Sequence, residues 1–224
     1  MSSGSGWNVT PAEGIAIQKR LAGLVRRSWD GRPVRLIAGA DVHFPTKKTV
    51  RAAVVLLTYP GLEFLESASF EGACAFPYVP GLLSFREIPP ILEAWKKLAH
   101  GPDLVLCDGQ GIAHPRGIGF ASHLGLELGA PTIGCAKSPL FGEFEMPGPH
   151  RGDRSPIKDP AGETIGAVLR TRDGTRPLYV SIGHLINLQK AISFVLGATP
   201  RFRNPEPLRL AHRLAGLKGF ESST

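Results

Sequence analysis

Cysteine and long apolar runs are both scarce in this sequence. The 224 residues contain three cysteines, Cys74, Cys107 and Cys135, which lie far apart and form no Cys-x-x-Cys pair. This scarcity argues against a disulfide-built fold and a cysteine zinc site, and it favours the reducing cytoplasm as the location. No segment approaches the roughly 18 consecutive apolar residues that a membrane span needs. We therefore expect no membrane association.

Acidic residues are outnumbered: 19 Asp and Glu stand against 26 Lys and Arg, which gives a net charge of +7. An excess of this sign favours a polyanionic partner such as nucleic acid, because phosphate counterions are released on binding. The hydrophobic fraction of 42% is ordinary for a globular protein and excludes a disordered or collagen-like chain. We predict a single domain over residues 1–224, acting as a monomer, with residues 1–8 as a disordered tail.

Apolar runs and turn residues predict an alternation of strands and helices. The expected order is helix 10–25, strands 36–44, 51–59 and 63–70, helix 90–99, strand 103–107, helix 118–128, strand 131–136, strands 164–171 and 178–181, and helices 184–196 and 208–214. Pro89 and Pro90 disfavour helix in the residues before them, so residues 82–87 are predicted to be extended. Residues 141–162, which are rich in proline and glycine, are predicted to form a long loop.

This order matches an α/β protein with a ribonuclease H-like fold. In that fold, an antiparallel three-strand meander continues into parallel strands, and helices flank the mixed central sheet. The end of the first strand then lies beside the end of the fourth. We therefore expect Asp41 and Asp108 to meet, with Glu87 entering from the segment between them. Carboxylate oxygens are suited to Mg²⁺, or to Mn²⁺ as a substitute, and such an ion can promote phosphoryl chemistry.

Each candidate also has a structural interpretation. Asp41 could end a strand, and Glu87 could cap a helix or balance Arg86. His114, in the glycine-punctuated segment after Asp108, could make a structural hydrogen bond. Lys137 could be an ordinary exposed lysine, although at a strand end it could also offset charge on a phosphate.

Four segments together resemble the endonuclease V (deoxyinosine 3′ endonuclease) family, and the resemblance runs from about Leu36 to Leu214. These segments are Gly39-Ala40-Asp41-Val42, the run from Pro77 to Glu87, the run from Asp108 to Arg116, and Gly134-Cys135-Ala136-Lys137-Ser138. The resemblance implies a Mg²⁺-dependent enzyme that nicks DNA at the second phosphodiester bond 3′ to deoxyinosine, leaving 3′-hydroxyl and 5′-phosphate ends. Related deaminated bases are further candidate substrates.

The resemblance also implies residue roles. Asp41, Asp108 and Glu87 would hold the metal, and His114, Lys137 and His212 would assist at the water or the phosphate. The nucleic-acid contacts would comprise a wedge and a lesion pocket, formed by Pro77, Tyr78, Val79, Pro80, Gly109, Gly111, Ile112 and Arg116. In the wedge, Tyr78 would replace a lost stacking partner; in the pocket, a tight backbone would exclude the exocyclic amine of guanosine.

Three alternatives stay open at this point. The substrate could be inosine in single-stranded RNA, because the same carboxylates and wedge would serve. The chain could be a non-catalytic nucleic-acid-binding protein on the same fold, although clustered carboxylates have no use there. A structure-specific junction nuclease is the third alternative, and it would not need a wedge or a glycine pocket.

Overall fold

The computed structural model describes residues 6–217 and contains one eight-stranded mixed sheet with helices on both faces. The helices are α1 Pro11–Ala22, α2 Leu83–Trp95, α3 Phe120–Leu128, α4 Leu188–Gly197 and α5 Glu206–Gly216. The strands are β1 Leu36–His43, β2 Thr49–Thr58, β3 Phe64–Ala73, β4 Leu104–Cys107, β5 Thr132–Ala136, β6 Arg154–Lys158, β7 Thr164–Leu169 and β8 Leu178–His184. Their spatial order is β3-β2-β1-β4-β5-β8-β7-β6.

The predicted topology is confirmed. Strands β1, β2 and β3 form an antiparallel meander, and β1 continues into β4 and then β5 through parallel pairing. Strand β2 is apolar from Ala52 to Leu57, and alternate residues of this run enter two cores. Val54 and Leu56 pack on the side of α2 and α3, whereas Val55 and Leu57 pack on the side of α5. Strand β2 is therefore buried on both faces, as its nearly continuous apolar run predicts.

The prediction that residues 82–87 are extended is wrong. Helix α2 begins at Leu83 and continues through Pro89 and Pro90 to Trp95. Its buried face includes Phe85, Ile88 and Ile91, so packing against the sheet outweighs the local preference of the residues before proline. Consequently Glu87 lies on a helix.

Residues 141–162 are not all loop, because strand β6 lies within them. This strand is at the edge of the sheet, so the N–H that Pro156 lacks is not needed for pairing on the side without a neighbouring strand. The helix predicted from His184 begins only at Leu188, because His184 is still the last residue of β8. Local patterns place element boundaries poorly where a buried strand runs straight into a helix.

The amino-terminal residues fall into two parts. Met1–Ser5, which belong to the predicted tail, lie outside the described residues, whereas the ring of Trp7 packs edge-on against Phe85 at 6.0 Å. Helix α1 then starts with the predicted capping box, in which Thr10 and Glu13 exchange hydrogen bonds. Within residues 6–217, every helix is too short or too polar to cross a membrane.

Candidate active site

Two aspartates lie side by side at the carboxyl ends of the neighbouring strands β1 and β4. Asp41 is buried near the end of β1, and Asp108 directly follows β4. The parallel register pairs Ala40 with Cys107, so the next residue of each strand is a carboxylate. The predicted meeting of Asp41 and Asp108 therefore follows from the strand pairing itself.

Glu87 reaches the same place from α2. Burial, and then the negative charges of Asp41 and Asp108, raise the pKa of Glu87 to about 8. Burial, followed by the charge of Asp108, likewise raises the pKa of Asp41. These mutual effects show that the three carboxylates share one electrostatic environment in which negative charge is costly.

Two cationic or ionisable side chains contact the aspartates from other elements. Lys137, which follows β5, forms an ion pair with Oδ2 of Asp108. His212, on α5, donates a hydrogen bond from Nδ1 to Oδ2 of Asp41 over 2.7 Å. The side chain of His212 is 64% exposed, so it lies at the surface of the site. Both predicted residues therefore lie at the carboxylates.

The donor set suits a hard divalent cation, because three carboxylates supply oxygen ligands in one electrostatic environment. In the described part of the chain, however, no group of three His, Cys, Asp or Glu side chains is spaced to enclose a metal ion. The structure thus provides ligands of the right chemistry without a finished coordination shell.

A cavity of about 450 Å³ opens directly onto the carboxylates. Its lining includes Asp41, Glu87, Asp108 and Lys137, together with Tyr78, Pro80, Gly81, Leu83, Gly109, Gln110, Gly119, Phe120 and Leu140. Tyr78 is 69% exposed at the rim, so its ring is available for stacking. A cavity of this size can hold a small planar group such as a nucleobase.

Three donors converge on the carbonyl oxygen of Gly81, and we call this arrangement the Gly81 clamp. Gln18 Nε2 lies at 2.9 Å, His114 Nε2 at 3.0 Å and Arg116 Nη2 at 2.6 Å. The backbone N–H of Arg116 donates to Nδ1 of His114, so the ring proton is on Nε2. Burial, followed by the charge of Arg116, lowers the pKa of His114 to about 4.

The clamp gives two of the predicted residues contacts within the protein. His114 lines the cavity; its Nε2 donates to Gly81 in the loop that carries Tyr78, and its Nδ1 accepts from the backbone N–H of Arg116. Arg116 Nε also donates to Gln18 Oε1 over 2.6 Å, so this side chain ties the first helix to the loop after β4, and its contact with nucleic acid stays a prediction. Both residues therefore position the loop.

Gly111 and Ile112, both predicted to line the lesion pocket, pack against β8. Ile112 is 1% exposed, and its N–H donates to Ile182 on β8. A Cβ on Gly111 would lie 1.9 Å from the carbonyl oxygen of Ile182, so this glycine is needed for packing against the sheet. Of the predicted glycines, only Gly109 reaches the cavity.

Several cavity residues were missed by the sequence analysis. No local sequence pattern marks Gln18, which lies on α1, or Phe120, which begins α3, as a cavity residue. Gln110 lies in the run from Asp108 to Arg116: its Nε2 donates to Ser138, while its buried Oε1 has no hydrogen-bond partner in the described residues. Gly119 touches the same segment, since a Cβ there would lie 2.5 Å from the carbonyl oxygen of Gln110.

Comparison with known proteins gives consistent matches. The family model for endonuclease V matches residues 19–213. An endonuclease V from Nostoc punctiforme is 46% identical over 214 residues, which cover 95% of this chain and 96% of that protein. A crystal structure of endonuclease V from Streptomyces avermitilis superimposes with a TM-score of 0.88 at 42% identity, covering 94% of this chain and 93% of that one. A Ciona intestinalis endonuclease V, solved with a 24-mer DNA containing an inosine followed by a ribo-adenosine, superimposes with a TM-score of 0.80 at 26% identity, covering 91% and 95%.

Proposed function

The chain belongs to the endonuclease V family, and on that premise we propose that it nicks DNA at the second phosphodiester bond 3′ to deoxyinosine. The products would be 3′-hydroxyl and 5′-phosphate ends. The observation that carries this proposal is the cavity that continues into the carboxylates, because it places a base-sized site next to phosphate chemistry. We further propose that the protein acts as a cytoplasmic monomer.

Asp41, Glu87 and Asp108 would hold Mg²⁺, with Mn²⁺ as a substitute. When bound, the ion would supply a polarised phosphoryl oxygen and an activated water. Lys137, which forms an ion pair with Asp108, would offset charge on the scissile phosphate. His212 would hold the orientation of Asp41 through their hydrogen bond.

Recognition would begin with extrusion of the base, which costs a few kcal/mol and costs less for a mispaired base. The exposed ring of Tyr78, stiffened by Pro77 and Pro80, would fill the space left in the stack. Gly81 and Gly109 allow backbone to approach the base edge closely, so the exocyclic amine of guanosine would clash. Inosine lacks that amine and would fit.

Inosine in RNA is a second candidate substrate. The Ciona relative was solved with an inosine followed by a ribonucleotide, so that protein accommodates a 2′-hydroxyl beside the lesion. The cavity beside the carboxylates is large enough for a base, and recognition of the base alone would be compatible with either nucleic acid. The non-catalytic and junction-nuclease alternatives give no reason for carboxylates beside a base-sized cavity.

A nicking assay tests the proposal. End-labelled duplexes that differ only in inosine or guanosine would be incubated with Mg²⁺, beside a single-stranded inosine RNA and an EDTA control. We expect a cut one nucleotide beyond inosine, none at guanosine, and loss of cutting in EDTA.

Two matched variants separate the carboxylate site from general charge effects. Glu87→Gln should abolish cutting, whereas Glu63→Gln, at an exposed position between β2 and β3, should leave it unchanged. Cutting confined to RNA would move the function to RNA processing. Failure of folded wild-type protein to cut either substrate would refute the enzymatic proposal.

A further inference from the structure

Four arginines outside the catalytic site lie along the same edge of the sheet, and we call Arg172, Arg176, Arg201 and Arg203 the arginine row. Strands β5 and β8 are antiparallel with Ala136 opposite Tyr179, so the start of β8 lies beside Lys137. Strands β7 and β8 pair Leu169 with Leu178, which brings the end of β7 to this edge as well. Arg172 and Arg176 lie in the connection between β7 and β8, and Arg201 and Arg203 lie in the connection between α4 and α5.

Arg203 connects the row to the catalytic site. Its guanidinium donates to the carbonyl oxygens of Arg176 at 2.7 Å and Pro177 at 2.8 Å, and it reaches that of Lys137 at 3.4 Å. The charge of Arg203 also interacts with Asp108. These contacts make the row continuous with the carboxylates.

The far end of the row borders a second cavity of about 310 Å³, lined by Arg151, Arg172, Asp173 and Arg201 among others. The guanidinium of Arg151 is held by backbone carbonyls, including that of Thr199 at 2.8 Å, and Asp173 accepts from the backbone N–H of Arg151. Arg172 and Arg201 are exposed, and neither guanidinium donates a hydrogen bond to any residue in the range 6–217. Arg201 has only a longer-range attraction to Glu206. The guanidinium groups of Arg172 and Arg201 are thus available to an anion at this cavity.

We propose that the arginine row binds the phosphates of the nucleic-acid strand on the 3′ side of the cleaved bond. This inference rests on the proposed function, which places the flipped base in the cavity near Tyr78 and the scissile phosphate at the carboxylates. Arg172 and Arg201 do not line that cavity; they lie in connections beside β8, beyond Lys137, and in this proposal the strand continues 3′ toward them.

The spacing of the strands gives the expected reach. From β4 to β7 there are three strand intervals of about 4.8 Å, or roughly 14 Å in all. A strand in a duplex advances about 3.4 Å per nucleotide along the axis. The row would therefore contact phosphates about four nucleotides beyond the cut. Bidentate geometry makes arginine suited to such contacts.

Salt dependence of binding tests the proposal with an Arg172→Gln/Arg201→Gln double variant. The matched control is Arg27→Gln/Arg35→Gln, in which Arg35 directly precedes β1 at the opposite edge of the sheet and both side chains are exposed. Binding of inosine duplex would be followed by fluorescence anisotropy in EDTA. Each lost phosphate contact should reduce the slope of log affinity against log salt by about 0.9. Between 50 and 200 mM salt, wild-type binding should therefore weaken about twelvefold more than binding by the double variant.

Substrate length locates the contact. With eight nucleotides 3′ to the cut, the double variant should raise KM and leave kcat unchanged. With two nucleotides on that side, wild type and double variant should be alike. A double variant that matches the control on both substrates would overturn the proposal, and dependence on the 5′ side would refute the assigned direction. If wild-type protein does not nick at all, the proposed function fails, and the salt slope still reports on the row.

Discussion

Replacing Gly39 with alanine should disturb the active site through the contact between β1 and α5. Gly39 lies in the middle of β1, where the first turn of α5 crosses the strand. A Cβ built on Gly39 would lie 2.2 Å from the backbone carbon of Pro207 and 2.6 Å from the backbone nitrogen of Leu208. Because these are backbone atoms, no side-chain rotation can relieve the clash. Either α5 or β1 must move.

The size of the movement can be worked from these distances. Restoring an ordinary contact of 3.4 Å requires a shift of about 1.2 Å. Helix α5 also carries His212, whose 2.7 Å hydrogen bond to Asp41 would lengthen to about 3.9 Å if the whole shift were transmitted. Overpacking of this kind costs roughly 1–3 kcal/mol. We therefore expect lower stability together with a loss of the His212 to Asp41 contact.

Urea unfolding and nicking kinetics would measure the two effects in the same variant. The control is Gly216→Ala at the end of the same helix, where a Cβ meets nothing within 4 Å. That change should leave nicking intact and raise the unfolding free energy by up to about 1 kcal/mol. A Gly39→Ala protein with wild-type stability and wild-type kcat would refute the reasoning.

Three further predictions concern separate parts of the molecule. Tyr78→Ala should leave the unfolding free energy within about 0.5 kcal/mol of wild type, because the ring is exposed, while kcat/KM on inosine duplex falls roughly 5- to 150-fold through lost stacking; an unchanged kcat/KM would argue against the wedge. Gln18→Leu should lower the unfolding free energy by roughly 1–3 kcal/mol in urea titrations, since Arg116 Nε loses its acceptor; unaltered stability would show that the clamp is dispensable. Burial lowers the pKa of His123 to about 4, so the unfolded chain takes up a proton between pH 6.5 and 4 that the folded chain does not, and stability falls as the pH falls. In His123→Phe this fall in the unfolding free energy between pH 7 and pH 4.5 should be smaller, by at most roughly 3 kcal/mol. Urea unfolding at the two pH values measures it, and an identical pH dependence in the variant would contradict the assignment.

The sheet and its two aspartates could be predicted because their signals are local. Strands β1 and β4 are apolar runs, each leading to one acidic residue, and the order of elements fixes which strand ends are neighbours. Glu87 could be named from its motif, but its helix could not be predicted. The two prolines after it speak against helix, and only the packing of Ile88 and Ile91 decides otherwise.

The contacts around the loop of Tyr78 could not be read from the sequence. Gln18 and Gly81 are 63 positions apart, and no periodicity relates a residue on the first helix to a carbonyl in a proline-flanked loop. The same limit applies to Gly111. A glycine in that motif suggests a ligand pocket, but here the neighbouring backbone of Ile182 on β8 leaves no room for a side chain. A glycine in the sequence indicates a close approach by another group, but the sequence does not identify whether that group is a ligand or the protein's own backbone.

The carboxylate cluster draws its members from layers that are far apart in the chain. Asp41 and Asp108 belong to the sheet, Glu87 belongs to a helix on one face, and His212 belongs to a helix on the other. The complete set of acidic and ionisable groups therefore exists only where the sheet and the helices on both of its faces are packed together. A change in the packing of either helical layer can reach the carboxylates without altering any residue that lines them.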